Sequence, residues 1–134
     1  MTYQEKVEFL NKFIALDAHI DALIKEKEKW FKRALIIGQE NSDGQECDTN
    51  ENTACLLLKV DKLEKQIDRK IDELVLLREK ISLVIEGIEN LTHQQIIYQK
   101  YICGKSLEKI SEEIGYSTRQ VMRIHKQAVE KMAL

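Results

Sequence analysis

The 134-residue chain contains no proline, five glycines and three cysteines. Proline and glycine disfavour helix interiors, so their scarcity favours long helices. No stretch alternates apolar and polar residues over strand length, which argues against a β-sheet. The odd number of cysteines, without a C-x-x-C pair, indicates neither a disulfide framework nor a zinc site and fits a reducing cytoplasm. Since no apolar run approaches membrane-spanning length, we expect a cytoplasmic protein that does not associate with membranes.

Charged residues make up 33% and hydrophobic residues 43% of the chain, a mixture typical of long helices and coiled coils. We therefore predict an all-α fold. The net charge of −2 averages segments of opposite sign. Residues 38–54 carry five acids and no Lys or Arg, whereas residues 91–134 carry seven cations against four anions. A locally positive segment can bind nucleic acid even in an acidic protein, because the nearby cations displace counterions from phosphates.

Two long amphipathic helices are predicted before residue 90. The first runs from about Tyr3 to Ile37, and Gly38 is placed to end it. The acidic segment 38–54 has no periodicity and is predicted to be a linker. The second helix runs from about Cys55 to Glu89, with the apolar stripe Leu56, Val60, Leu63, Ile67, Ile71, Leu74, Leu77, Ile81, Val84, Ile85 and Ile88. The linker is longer than a hairpin needs, so an antiparallel hairpin, a parallel coiled-coil-like pairing and a subunit-exchanged pairing all remain open.

The second helix is apolar on more than one side, since residues 56–58 and 74–77 are continuous apolar runs. Surplus apolar surface of this kind usually meets another subunit or domain. We therefore predict a homodimer through residues 1–90. The alternative is a monomer in which the extra face packs on the C-terminal helices.

Residues 91–134 are predicted to form a separate helix-turn-helix domain. Thr92 with Gln95, and Ser117 with Gln120, have the spacing of capping boxes, and Ser106 is a third cap. Gly115 suits the left-handed position of a sharp turn. The predicted inner faces are Leu107, Ile110 and Ile114 on one helix, and Val121, Ile124, Ala128 and Met132 on the last.

Burial of that inner stripe directs Thr118, Arg119, Met122, Arg123 and Lys126 outward. The last helix, residues 117–131, would then lie in the major groove of double-stranded DNA, with Thr118, Arg119 and Arg123 at base edges. Lysines such as Lys105 and Lys126 would contact phosphates. The full predicted DNA-binding set is Ser117, Thr118, Arg119, Gln120, Met122, Arg123, Lys126 and Lys105.

Residues 106–132 resemble the −35-reading region 4 of bacterial sigma factors. The resemblance rests on Ser117-Thr118-Arg119-Gln120-Val121 and on Ile124 through Ala128-Val129. It implies that Thr118, Arg119 and Arg123 occupy base-contacting positions. Met122 departs from the pattern, which usually has a cation there.

Most of the chain outside residues 38–54 is also similar to small regulators of phages and prophages of Gram-positive bacteria, the ArpU/RinA-like group. The similarity is carried by residues 16–23, by the paired acids and lysines of 60–77, and by residues 101–106. It implies control of late or packaging genes of a phage.

Nothing in the sequence indicates catalysis. There is no glycine-rich phosphate loop, metal-binding helix or nucleophile elbow, so we predict no enzyme, no catalytic residue, no cofactor and no metal. His19 and His93 are interpreted as surface or helix-start residues, and His125 as a packing or phosphate-contact residue.

The leading hypothesis is a sequence-specific transcriptional regulator whose long helices dimerise or contact a protein such as host RNA polymerase. Two alternatives remain: a DNA-packaging protein like a small terminase subunit, and an interaction protein that mimics a sigma factor without touching DNA. A regulator would form a two-fold dimer, whereas a small terminase would form a ring of many subunits.

Overall fold

The computed structural model describes residues 1–41 and 53–134, and the side chains of all of these except 38–41. The described residues form five helices: α1 (Tyr3–Asn41), α2 (Thr53–Glu86), α3 (Leu91–Tyr101), α4 (Leu107–Ile114) and α5 (Thr118–Lys131). They contain no β-strand. The predicted all-α fold, with two long helices before a helix-turn-helix, is confirmed.

Three predicted helix boundaries are wrong. α1 continues past Gly38 to Asn41, because one glycine costs only about 1 kcal/mol in a helix interior. α2 begins at Thr53, inside the predicted linker, and ends at Glu86 rather than Glu89. The remainder of the predicted linker, residues 42–52, lies outside the described residues.

The described chain divides into two compact units. The first, here called the head unit, comprises residues 1–16 and 74–134; the second, the middle unit, comprises residues 17–73. The head unit therefore contains the start of α1 and the end of α2 as well as α3, α4 and α5.

The main core of the head unit is formed by all of its helices except α4. Its buried members are Leu10 and Phe13 of α1, Ile81 and Ile85 of α2, Ile97 and Tyr101 of α3, and Ala128, Val129 and Met132 at the end of α5. The first turns of α1 thus pack beside the last turns of α2 in the same chain, which is the pairing of an antiparallel hairpin.

Lys6 of α1 makes a second connection within the head unit. Its side chain is buried, and its ammonium Nζ donates to the carbonyl oxygens of Glu130 at 3.0 Å and Met132 at 2.9 Å. The last carbonyls of a helix have no partner inside the helix. Lys6 therefore satisfies carbonyls at the C-terminal end of α5 and stabilises that end electrostatically.

A smaller core joins α3, α4 and α5. Ile96, Ile110 and Val121 are fully buried there, and Leu107, Ile114 and Ile124 pack around them. One side chain from each helix meets at the centre, so the three helices have fixed relative positions.

In the middle unit, buried apolar residues come from both long helices: Ile20, Leu23 and Ala34 of α1, and Leu56, Val60 and Ile67 of α2. Trp30 adds polar contacts at the same helix pair. Its ring is 4.6 Å from the ammonium of Lys59 and 5.0 Å from the guanidinium of Arg33, and its indole N–H donates to Glu26 at 3.3 Å. Cations over an indole ring contribute about 0.5–1 kcal/mol at exposed sites.

Candidate nucleic-acid interface

The turn between α4 and α5 has the predicted chemistry. Gly115 ends α4 with a φ of 77°, a left-handed conformation that costs a residue with a Cβ about 1–2 kcal/mol. Ser117 begins α5: its hydroxyl accepts from the Gln120 amide at 3.2 Å, and the Gln120 side chain accepts from the Ser117 amide at 3.1 Å. Ser106 caps α4 through the Lys109 amide. These three predictions are confirmed, and they place two helix starts and the turn between them.

The predicted capping box of Thr92 and Gln95 is wrong. Asn90 caps α3 instead, since its side-chain oxygen accepts from the amides of Thr92 at 2.9 Å and His93 at 3.2 Å. Asparagine is among the strongest N-cap residues, so its position before Leu91-Thr92 was the signal that could have identified the helix start.

Thr118 was predicted to point outward, but in the structure its side chain is turned partly toward α4. The residue is half-buried, and its hydroxyl oxygen lies 3.2 Å from Ser111 Oγ. Ser111 donates its own hydroxyl proton to the Glu108 carbonyl at 2.7 Å, so Thr118 is the donor in the bond between the helices. The Thr118 hydroxyl therefore connects the first turn of α5 to α4 and keeps only its acceptor lone pairs for another partner.

The exposed face of α5 carries Arg119, Met122, Arg123 and Lys126. Their spacing of three, one and three residues places all four side chains on one side of a helix. The opposite side consists of the buried residues Val121, His125, Ala128 and Val129. Among the described residues, no carboxylate forms an ion pair with any of the three cations. We call this surface the cationic face; its charges are available to a ligand.

Lys105 differs from the three cations of the cationic face because it forms an ion pair. Its ammonium lies 2.7 Å from a carboxylate oxygen of Glu113, and both side chains are about one-third exposed. A phosphate would have to compete with this ion pair, so Lys105 is a weaker candidate for DNA contact than Lys126.

His125 is a packing residue. It is buried, and its Nε2 lies 2.6 Å from the hydroxyl oxygen of Tyr101 on α3. Burial, and after it the positive charge of Lys100, lowers the pKa of His125 from 6.5 to about 4. Burial also raises the pKa of Tyr101 above its ordinary value, so the phenol keeps its proton. Tyr101 therefore donates to a neutral imidazole, and the predicted alternative of a phosphate contact is wrong.

His93 lies at the start of α3 as predicted, but its side chain is buried rather than on the surface. It lines a cavity of about 510 Å³ whose other walls come from the end of α2 and the end of α5 and include both apolar residues and the polar Glu89, Asn90 and Lys131. Burial and the nearby charge of Lys131 lower its pKa below 6.5. The neutral imidazole is thus favoured, because both burial and a neighbouring ammonium disfavour a positive charge on the ring.

No cluster of His, Cys, Asp or Glu side chains in residues 1–37 and 53–134 has a geometry that would hold a metal ion. None of the described helices is both long enough and apolar enough to span a membrane.

The geometry defines a class of DNA-binding domain: two helices joined by a tight turn, the second capped at its start and carrying cations on its free face.

Residues 90–133 match the protein family described as Sigma-70, region 4. The match covers about a third of the chain and includes α3, α4 and α5. It confirms the predicted likeness of the C-terminal helix-turn-helix to sigma region 4 and indicates a DNA-binding regulatory function. Region 4 of sigma-70 is a DNA-binding domain rather than a catalytic one, and this applies to residues 90–133 alone. Comparison with curated proteins and with solved structures returned no significant match.

Proposed function

We propose that the protein is a sequence-specific DNA-binding regulator of transcription that inserts α5 into the major groove. The observation that carries the proposal is the cationic face: Arg119, Arg123 and Lys126 are exposed on one side of a capped helix and have no carboxylate partner among the described residues. Three unpaired cations on the second helix of a helix-turn-helix are suited to phosphates and guanine edges.

Each predicted site residue has a role in this arrangement. Arg119 and Arg123 contact base edges, and Lys126 contacts a phosphate further along α5. Ser117 and Gln120 form the cap that begins the helix, so their effect on DNA is chiefly to position the first turn. Thr118 contacts DNA through the acceptor capacity left by its bond to Ser111. Lys105 contributes to phosphate binding when its ion pair with Glu113 opens.

The regulated genes, in this proposal, are late or packaging genes of a phage or prophage. The support is the resemblance to the ArpU/RinA-like group, which extends into α1 and α2 beyond the matched region 90–133. A region-4-like domain on a helical scaffold also fits a regulator that acts beside RNA polymerase, and we propose host RNA polymerase as a protein partner.

The protein acts as a homodimer in this proposal, with α2 as the main contact. Several large apolar side chains of α2 are exposed: Leu57 and Leu58 in the middle unit, and Val75, Leu76 and Leu83 in the head unit. Leu76 and Leu83 are 61% and 69% exposed and lie one heptad apart, so they share a side of the helix. A dimer would present two α5 helices to two half-sites.

The proposal is tested by selecting fragments of a host and phage genome with the purified full chain, then footprinting the enriched fragments. We expect a short protected site and an affinity that falls as salt rises, because cations on the protein displace counterions from DNA. The double variant Arg119→Ala/Arg123→Ala should bind the selected site at least about thirtyfold more weakly, since each good arginine–guanine pair discriminates by about 1–3 kcal/mol.

A matched control removes the same two charges elsewhere. Lys12→Ala/Lys25→Ala changes two exposed lysines of α1, outside the proposed α2 dimer contact, and should leave the affinity within about twofold. If no fragment is enriched, or if both double variants bind equally well, the proposal is refuted. Light scattering of the free protein separates the remaining alternatives: a dimer supports the regulator, and a ring of many subunits supports a packaging protein.

A further inference from the structure

Met122 is the one apolar member of the cationic face. Its side chain is 55% exposed, and it follows Arg119 by three residues and precedes Arg123 by one. A thioether has no proton to donate and is only a weak acceptor, so it cannot bind a phosphate as its neighbours can. An exposed methionine at this position gains free energy only by burying its apolar surface against something else apolar.

The position of Met122 on α5 restricts what it can meet. It lies about 4.5 Å further along the helix axis than Arg119, because each residue of an α-helix advances the axis by about 1.5 Å. Base pairs in DNA are about 3.4 Å apart, so this separation corresponds to between one and two base pairs. A helix that brings both arginines to base edges therefore brings Met122 to a base edge between them.

The major groove offers one apolar group that distinguishes the four bases, the C5-methyl of thymine. Every base presents hydrogen-bonding atoms there, including the O4 acceptor of thymine, but guanine, adenine and cytosine have no methyl group against which a methionine side chain could bury its surface. We propose that Met122 is a specificity-determining residue that selects a thymine through its methyl group, within two base pairs of the base contacted by Arg119. This inference rests on the proposed function, since it requires α5 to lie in the major groove.

The test replaces each thymine of the selected site, one at a time, by deoxyuridine, which lacks only the C5-methyl. At one position we expect the wild-type protein to bind about fourfold more weakly, the factor that corresponds to one lost methyl contact. The Met122→Ala variant should bind the thymine site about as weakly as the wild type binds the uracil site, and should not distinguish the two sites. Met122 is exposed, so this change should not affect folding.

Arg119→Ala is the matched comparison on the same face: it should bind both sites more weakly and still prefer thymine. The inference is overturned if the wild-type protein binds every thymine and uracil site equally, or if Met122→Ala keeps the full preference. Either result leaves the proposed function intact as long as the selected site is still bound. The absence of any selected site refutes the proposed function itself, so the two failures are distinguishable.

Discussion

Acidification is expected to destabilise the head unit through His125. This imidazole is buried and accepts a hydrogen bond from Tyr101, and its pKa is about 4 in the folded protein against 6.5 when unperturbed. The unfolded chain therefore binds a proton at a higher pH than the folded chain. Since the folded pKa is depressed, the stabilisation is complete above about pH 6.5 and is lost as the pH falls from 6.5 to 4.

The magnitude follows from the two pKa values. At pH 7 both the folded and the unfolded chain are largely deprotonated at this residue, and its titration lowers the free energy of unfolding by only about 0.2 kcal/mol. At pH 5 the unfolded chain is almost fully protonated while the folded chain is not, and the difference reaches about 2 kcal/mol. The free energy of unfolding should thus fall by nearly 2 kcal/mol between pH 7 and pH 5 through His125 alone.

Urea titrations at a series of pH values, followed by far-ultraviolet circular dichroism, measure this loss. His93 contributes in the same direction, because its pKa is also lowered. The control is therefore His125→Gln, which keeps an acceptor for Tyr101 and removes the titration. The free energy of unfolding of the wild-type protein minus that of His125→Gln should therefore fall by about 2 kcal/mol from pH 7 to pH 5. If the free energies of unfolding of the wild type and of His125→Gln change with pH by the same amount, the assigned neutral, buried state of His125 is refuted.

Two further predictions concern the same unit. Lys6→Met should lower the free energy of unfolding by about 2–3 kcal/mol, because two carbonyls at the end of α5 lose a charged donor. The control is Lys12→Met on the exposed side of α1, which should change the free energy of unfolding by less than about 0.5 kcal/mol in the same urea titration. Gly115→Ala should lower the free energy of unfolding by about 1–2 kcal/mol through its left-handed backbone alone, since a Cβ there meets nothing within 4 Å. The control is Gly87→Ala, where φ is not positive, and thermal melts should show no comparable loss of stability for it. Equal melting temperatures for the two variants would contradict the prediction.

The sequence was most informative where a structural feature depends on neighbouring residues. Ser117 and Gln120 are three residues apart, so the capping box that begins α5 is a local property of the chain. Gly115 is likewise recognisable because a sharp turn after an apolar stripe needs a left-handed residue. These local signals were enough to predict the helix-turn-helix and the exposed side of α5.

Prediction from sequence was weaker where several local signals compete. Thr92 with Gln95 and Asn90 with His93 both have cap spacing, and only the backbone conformation decides that Asn90 is the cap, with φ −82° and ψ 120°. Thr118 is similar: its helical position predicts an outward side chain, but the hydroxyl bonds to Ser111 across the turn.

The amino-acid sequence by itself determined the helical elements, the caps of α4 and α5 and the exposed side of α5, because periodicity and capping act over three or four residues. Only the tertiary structure decided that Lys6 completes the end of α5, since those partners are 124 and 126 residues apart in the chain. It also decided that His125 is buried against Tyr101 rather than exposed to phosphate. No spacing rule relates such distant residues, because they meet only after the apolar stripes of four helices have packed into one core.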